Sequence, residues 1–135
     1  MHYLLDACAL LVICNGEPEA QKVLDLFKQA KTGSIRLSLS IIQLLEVYYD
    51  RIYIAGEEEA RTIIESILAE PITIIEHISY PVMFEAGRFK TSYSMSIADA
   101  IAAGISKNLG TTLVTKDEEF KMAEKDGELS LLWLK

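Results

Sequence analysis

Histidine and cysteine are both scarce in this chain, with two of each in 135 residues. Neither His2 nor His77 stands near a cysteine or the other histidine at ligand spacing, which argues against a zinc site. Cys8 and Cys14 lie six residues apart, about 9 Å along a helix and too far for a disulfide. Their spacing suits neither a metal finger nor a redox pair, so both read as small buried hydrophobes. Bases are few as well. Lys and Arg total 13 against 20 Asp and Glu, a formal charge of −7. That balance argues against a protein gripping nucleic acid through a broad basic face. It leaves room for an enzyme that meets phosphate through a divalent cation, because a bound cation inverts the electrostatics of an acidic site. No apolar run approaches the ~20 residues that span a bilayer. Met1–Leu5 has no charged region leading to a cleavage site, so no signal peptide is expected and the cytoplasm is the expected compartment.

What the chain does have is a core. Half its residues are hydrophobic (50%), too many for a disordered segment. The length suits one domain spanning 1–135, able to bury about two-thirds of its unfolded surface. His2–Leu5 reads as a buried strand ending at Asp6, and Ala7–Cys14 as a helix closed by Asn15-Gly16. Glu17-Pro18-Glu19 is expected to open a second helix, with Pro in its first turn and acids at the positive end of its dipole. Thr32-Gly33 stops it. Ile35–Ser38 reads as a strand, and Ser40 as the N-cap of a long helix through Ile54. Gly56 separates this helix from the next, which begins at Glu57 and ends at Pro71. Ile72–Ile75 is a third strand. One helix runs from about Pro81 to Tyr93, and another from Ser96 to Asn108. Thr111–Val114 is a fourth strand, Asp117–Glu124 a short helix, and Leu129–Leu134 a fifth strand. Strands alternating with helices predict a three-layer α/β/α sandwich around a five-stranded, mainly parallel sheet. In such sheets ligands bind beyond the carboxyl ends of the strands, where strand order reverses.

Four carboxylates compete for that position, and each has a structural role open to it. Asp6 follows the first strand and can cap the helix after it. Glu46 lies in Leu44-Leu45-Glu46-Val47-Tyr48-Tyr49, where a buried carboxylate needs a partner, a proton or a metal. Asp50 is one turn on and can share its face. Asp99 completes a Ser-x-x-Asp capping box with Ser96. The small residues Ala100, Ala102, Ala103 and Gly104 would let its helix approach its neighbours and turn this acid toward the strand ends. Asp117 follows the fourth strand, and Thr115 with Glu118 offers another box. Their joint placement favours convergence. Carboxylates gathered closely repel one another unless protonated or joined by a cation. Oxygen ligands without His or Cys select magnesium or manganese, held by a few carboxylates, waters and substrate phosphate.

Four segments in order, Tyr3-Leu4-Leu5-Asp6, Ser40-Ile41-Ile42-Gln43-Leu44-Leu45-Glu46, Ser96-Ile97-Ala98-Asp99-Ala100 and Leu113-Val114-Thr115-Lys116-Asp117-Glu118-Glu119-Phe120, resemble the PIN-domain nucleases. The likeness is nearest to the short VapC-like ribonuclease toxins of toxin–antitoxin pairs and spans nearly the whole chain. It implies a Mg2+- or Mn2+-dependent endoribonuclease with Asp6, Glu46, Asp99 and Asp117 as catalytic and metal-binding carboxylates. Asp6 and Asp99 lead as ligands, Asp117 completes the site directly or through water, and Glu46 binds metal or orients the attacking water. Thr115 and Ser40 support the site. RNA is the implied substrate, an antitoxin protein the implied partner, and a homodimer the implied assembly. One departure stands out. The family often has Ser or Thr in the two positions after the first Asp, and here they are Ala7 and Cys8, which implies the loss of a hydroxyl partner for the cluster.

Arg88, Lys90, Lys107, Lys116 and Lys121 are candidate phosphate contacts, and equally scattered solvated charges. Tyr48, Tyr49 and Tyr53 can stack bases, though at helical spacing they fit core or interface. Tyr48–Ile64 is a candidate partner surface. Three other functions compete with the nuclease. A phosphoryl-accepting domain would need paired acids after the first strand and a Lys after the last, but Asp6 stands alone and Lys135 is terminal. An Asp-x-Asp phosphatase is disfavoured by Cys8. A non-catalytic interaction module on the same scaffold is disfavoured by the intact acids.

Overall fold

The computed structural model describes all 135 residues, Met1–Lys135. Five strands form one sheet: β1 (His2–Leu5), β2 (Arg36–Ser40), β3 (Thr73–Ile75), β4 (Thr112–Thr115) and β5 (Ser130–Trp133). Every pairing is parallel, in the order β3-β2-β1-β4-β5. The chain lays strands outward from β1 to β3, then crosses back to place β4 and β5 on the other side of β1. The switch point therefore falls between β1 and β4.

Seven helices cover the sheet: α1 (Ala7–Cys14), α2 (Ala20–Lys31), α3 (Ile41–Ala55), α4 (Glu57–Leu68), α5 (Tyr80–Tyr93), α6 (Ile97–Leu109) and α7 (Lys121–Lys125). Side-chain alternation along the strands divides the core in two. Leu5, Leu37, Leu39 and Val114 point to one face and pack on α1 to α4 through Leu10, Val12, Val23, Phe27, Val47 and Ile67. Leu4 and Leu113 point to the other and pack on Val82, Phe89, Ala102, Ala103, Ile105 and Phe120. These are the three layers that the alternating sequence pattern predicts. No helix is long and apolar enough to cross a membrane.

Small residues in α6 do what their pattern suggests. A Cβ on Gly104 would stand 2.9 Å from both the Ala86 nitrogen and the Val82 oxygen of α5, so only glycine permits this crossing. The close approach seats α6 with its first turn at the carboxyl end of the sheet.

Several boundaries differ from expectation. The second strand ends at Ser40 rather than Ser38, because a helix N-cap has extended backbone and β2 runs into α3 without a loop. Ser40 is at once the last strand residue and the cap, its Oγ accepting from Ile42 and Gln43 nitrogens at 3.1 and 3.2 Å. The second helix begins at Ala20, leaving Glu17, Pro18 and Glu19 in the turn before it. The expected helix over Asp117–Glu124 is a 3₁₀ turn (Glu118–Phe120) followed by α7.

Candidate metal centre

Asp6, Asp99 and Asp117 each offer a carboxylate oxygen, and these oxygens all lie within 4.8 Å of one another. Three elements deliver them. Asp6 ends β1 and Asp117 follows β4, the neighbours across the switch point. Asp99 comes from the first turn of α6. Asp6 and Asp99 are buried, at 3% and 6% exposure, and Asp117 is half-buried.

Asp6 is tightly held. Its Oδ1 accepts from the Ala7 nitrogen at 2.8 Å and its Oδ2 from the Thr115 hydroxyl at 2.9 Å. The same Thr115 Oγ accepts from the Asp117 nitrogen at 2.9 Å. One fully buried hydroxyl thus ties the two strand-end acids together, using both its donor and its acceptor capacity. The expected box between Thr115 and Glu118 does not form. Asp117 itself caps the 3₁₀ turn, accepting from the Glu119 nitrogen at 2.9 Å, while the Thr115 hydroxyl is taken up by Asp6 and the Asp117 nitrogen.

Cys8 corrects two expectations. It is not merely a small hydrophobe, and its position does not lack a partner for the acids. Its Sγ donates to Asp6 Oδ2 at 3.3 Å and accepts from the Lys116 nitrogen at 3.3 Å. Burial, then the charge of Asp6, pushes this thiol up to about 12. It therefore stays protonated and remains a donor to Asp6.

The electrostatics of the three acids are unrelieved by any base. Burial raises the Asp99 carboxyl far above the ordinary range, and the charges of Asp6 and Asp117 and contact with Glu119 push it the same way. Burial also raises Asp6, against the hydrogen bonds from Thr115, Cys8 and Ala7. Glu46, half-buried on α3, stands outside the triplet yet feels it. Burial, then Asp6 and Asp117, raises its carboxyl to about 7. Asp50 does not join it. Asp50 Oδ2 accepts from Arg51 Nε and Nη2 at 3.2 and 3.0 Å, and Arg51 reaches on to Asn15.

Gln43 is a residue that sequence reasoning passed over. It is fully buried. Its Oε1 accepts from the Ala7 nitrogen at 2.9 Å, and its Nε2 donates to the Ala98 carbonyl at 2.9 Å. One side chain on α3 thus locks the starts of α1 and α6, the residues beside Asp6 and Asp99. The signal was available: Ser40, Gln43 and Glu46 recur every third residue on one helix stripe.

The candidate basic contacts scatter. Arg88 pairs with Glu85 and Glu128, both at 2.6 Å, and Lys107 lies 3.9 Å from Glu128. These two belong to the opposite end of the sheet, where Glu128 precedes β5, and do not line the acids. Lys90 donates to the Met95 carbonyl at 2.7 Å. Lys116 and Lys121 flank Asp117 but pair with Glu17 at 2.7 Å and Glu118 at 3.6 Å. On α3, Tyr49 and Tyr53 are 45% and 86% exposed, with rings meeting edge to face at 6.4 Å.

Two buried acids and a third beside them, without a cationic side chain, fit a hard divalent cation. All three candidate ligands are oxygen donors, which suits magnesium or manganese over zinc. The class is thereby defined: a parallel α/β sandwich that gathers carboxylates at its switch point, where such an ion could be held. The chain belongs to the PIN domain family, whose family model matches residues 3–126. Similar solved structures include VapBC2 from Rickettsia felis bound to a promoter DNA fragment, with 23% identity, a TM-score of 0.77 and 98% of each chain covered. DNA-bound VapBC from Salmonella typhimurium shows 16% identity and a TM-score of 0.76, over 100% of this chain and 99% of that one. Mycobacterium tuberculosis VapC20, described as a sarcin-ricin loop cleaving toxin, shows 13% identity and a TM-score of 0.70, over 90% and 94%. At these identities the likeness is one of fold. Comparison with curated proteins finds no match.

Proposed function

We propose that the chain, acting as one domain over 1–135, is a metal-dependent endoribonuclease and the toxin of a toxin–antitoxin pair. The observation that carries this reading is the acid triplet, Asp6, Asp99 and Asp117, with oxygens within 4.8 Å and two of the three buried. These residues hold Mg2+ or Mn2+. The ion, when bound, supplies Lewis-acid stabilisation of the attacked phosphoryl group and lowers the pKa of bound water. Glu46, with its carboxyl raised to about 7, accepts the proton of the attacking water, since a base works best near the working pH. Thr115 and Cys8 fix Asp6, and Thr115 also fixes the start of the Asp117 turn. Ser40 caps α3 and so sets the stripe that carries Gln43 and Glu46.

The toxin assignment draws support from the shared fold with VapBC proteins. An antitoxin and a second copy of the chain are the proposed protein partners. Leu45, Tyr49, Tyr53 and Ile54 leave an exposed apolar stripe on α3 suited to one of them. The cytoplasm is the proposed compartment.

The test is cleavage of a mixed RNA pool in Mg2+, Mn2+ or EDTA by wild type and by Asp99→Asn purified identically. Metal-dependent cutting lost in the variant supports the nuclease. Equal cutting by both proteins contradicts the assigned site. No cutting by either, with no Mn2+ uptake, favours the interaction module instead.

A further inference from the structure

We infer, building on the metal reading above, that Glu119 is a positioning residue: by taking the Ser96 backbone N–H it keeps Asp99 from closing the capping box on its own helix and leaves that carboxylate for the cation. A Ser-x-x-Asp box consists of two reciprocal bonds. The first is present, with Ser96 Oγ accepting from the Asp99 nitrogen at 3.2 Å. The second is diverted. The Ser96 nitrogen donates to Glu119 Oε1 at 2.9 Å, across from the 3₁₀ turn that follows β4. The Asp99 side chain is turned inward instead, at 6% exposure, with its oxygens among those of Asp6 and Asp117 and also in contact with Glu119.

Without this diversion a local solution is open to Asp99. Bonding the Ser96 nitrogen would satisfy an orphan donor at the start of α6 and place the negative charge at the positive end of the helix dipole. Glu119 removes that option and is itself well placed to do so. Its backbone nitrogen donates to Asp117 Oδ1 at 2.9 Å while its side chain holds Ser96. One residue therefore links the two segments that carry Asp117 and Asp99. Its neighbour Glu118 makes no such link, since its carboxylate is 73% exposed and meets only Lys121.

Calorimetric titration of Mn2+ alone, without RNA, tests the inference on wild type, Glu119→Ala, Glu119→Gln and Glu118→Ala. Glu119→Ala is expected to weaken Mn2+ binding about 10- to 100-fold, the usual cost of losing a group that orients a ligand. Glu119→Gln keeps an oxygen that accepts from Ser96 and stays within about threefold of wild type on the same scale. Glu118→Ala is unchanged. In metal-free Glu119→Ala the Ser96 amide stays protected from hydrogen exchange, because Asp99 takes the vacated N–H. Wild-type Mn2+ affinity in Glu119→Ala, or a freely exchanging Ser96 amide, overturns the inference while leaving the metal reading intact. Equal losses in Glu119→Gln and Glu119→Ala also overturn it, because they make Glu119 a ligand in its own right. If wild type takes up no Mn2+, the metal reading itself falls and takes the inference with it.

Discussion

The two ends of the sheet treat the same side chain in opposite ways. At the amino end, Glu128 faces bases: Arg88 at 2.6 Å and Lys107 at 3.9 Å. At the carboxyl end, Glu46 faces only acids, and its carboxyl is raised to about 7 by burial and by Asp6 and Asp117. One end solves its electrostatics within the chain, by setting a half-buried carboxylate against two partly exposed bases. The other gathers acids in a buried site with no base among them, an arrangement that costs stability unless the acids are protonated or joined by a cation. The difference separates a surface built for stability from a site built for a ligand.

The sharpest way to break the comparison is to neutralise each glutamate. Glu46→Gln is expected to slow RNA cleavage by roughly 10²- to 10⁴-fold, the range of a lost general base, with Mn2+ affinity from calorimetry much less affected. An equal loss of affinity would make Glu46 a metal ligand instead. Next in size is Gln43→Leu, which orphans the Ala7 N–H and the Ala98 carbonyl. Urea unfolding should show a loss of about 1–3 kcal/mol for each buried group left unpaired.

A smaller effect follows from pH. Glu46 is raised from 4.5 to about 7, and Asp6 and Asp99 are raised as well. The folded state therefore binds more protons than the unfolded state, and stability is lost as pH rises through the folded values. Metal-free protein should melt at a higher temperature near pH 5 than near pH 8. Saturating Mn2+ should shrink or reverse that gap. Smallest of all is Glu128→Gln, which should cost at most about 1 kcal/mol and leave cleavage unchanged.

Much of this layout was legible in the sequence. β1, α1 and the three layers follow from short apolar strands alternating with amphipathic helices. Asp6, Asp99 and Asp117 stood out because each is tied to a strand end or a helix start, and parallel topology brings those points together. What stayed hidden depended on rotamers and turn type. Gln43 shares a stripe with Ser40 and Glu46, but the groups it bonds, the Ala7 nitrogen and the Ala98 carbonyl, come within reach only once α1 and α6 are in place. Glu119 is one acid in a run of three, Asp117-Glu118-Glu119. Which of them reaches Ser96 depends on the 3₁₀ turn that orients them rather than on composition. Cys8 looked like a loss because it brings no hydroxyl. Its place beside Asp6 and Lys116 shows the bonding position retained.

If the acid triplet trades stability for a cation, melting curves of wild type and Asp99→Asn at neutral pH will show it. In EDTA the variant should melt above wild type, because the buried Asp99 carboxyl must take up a proton on folding at neutral pH and the amide need not. In Mn2+ the order should reverse, because only wild type gains the binding energy of its ligand. A variant that melts below wild type in EDTA, or a Mn2+ shift equal in both proteins, would contradict the account.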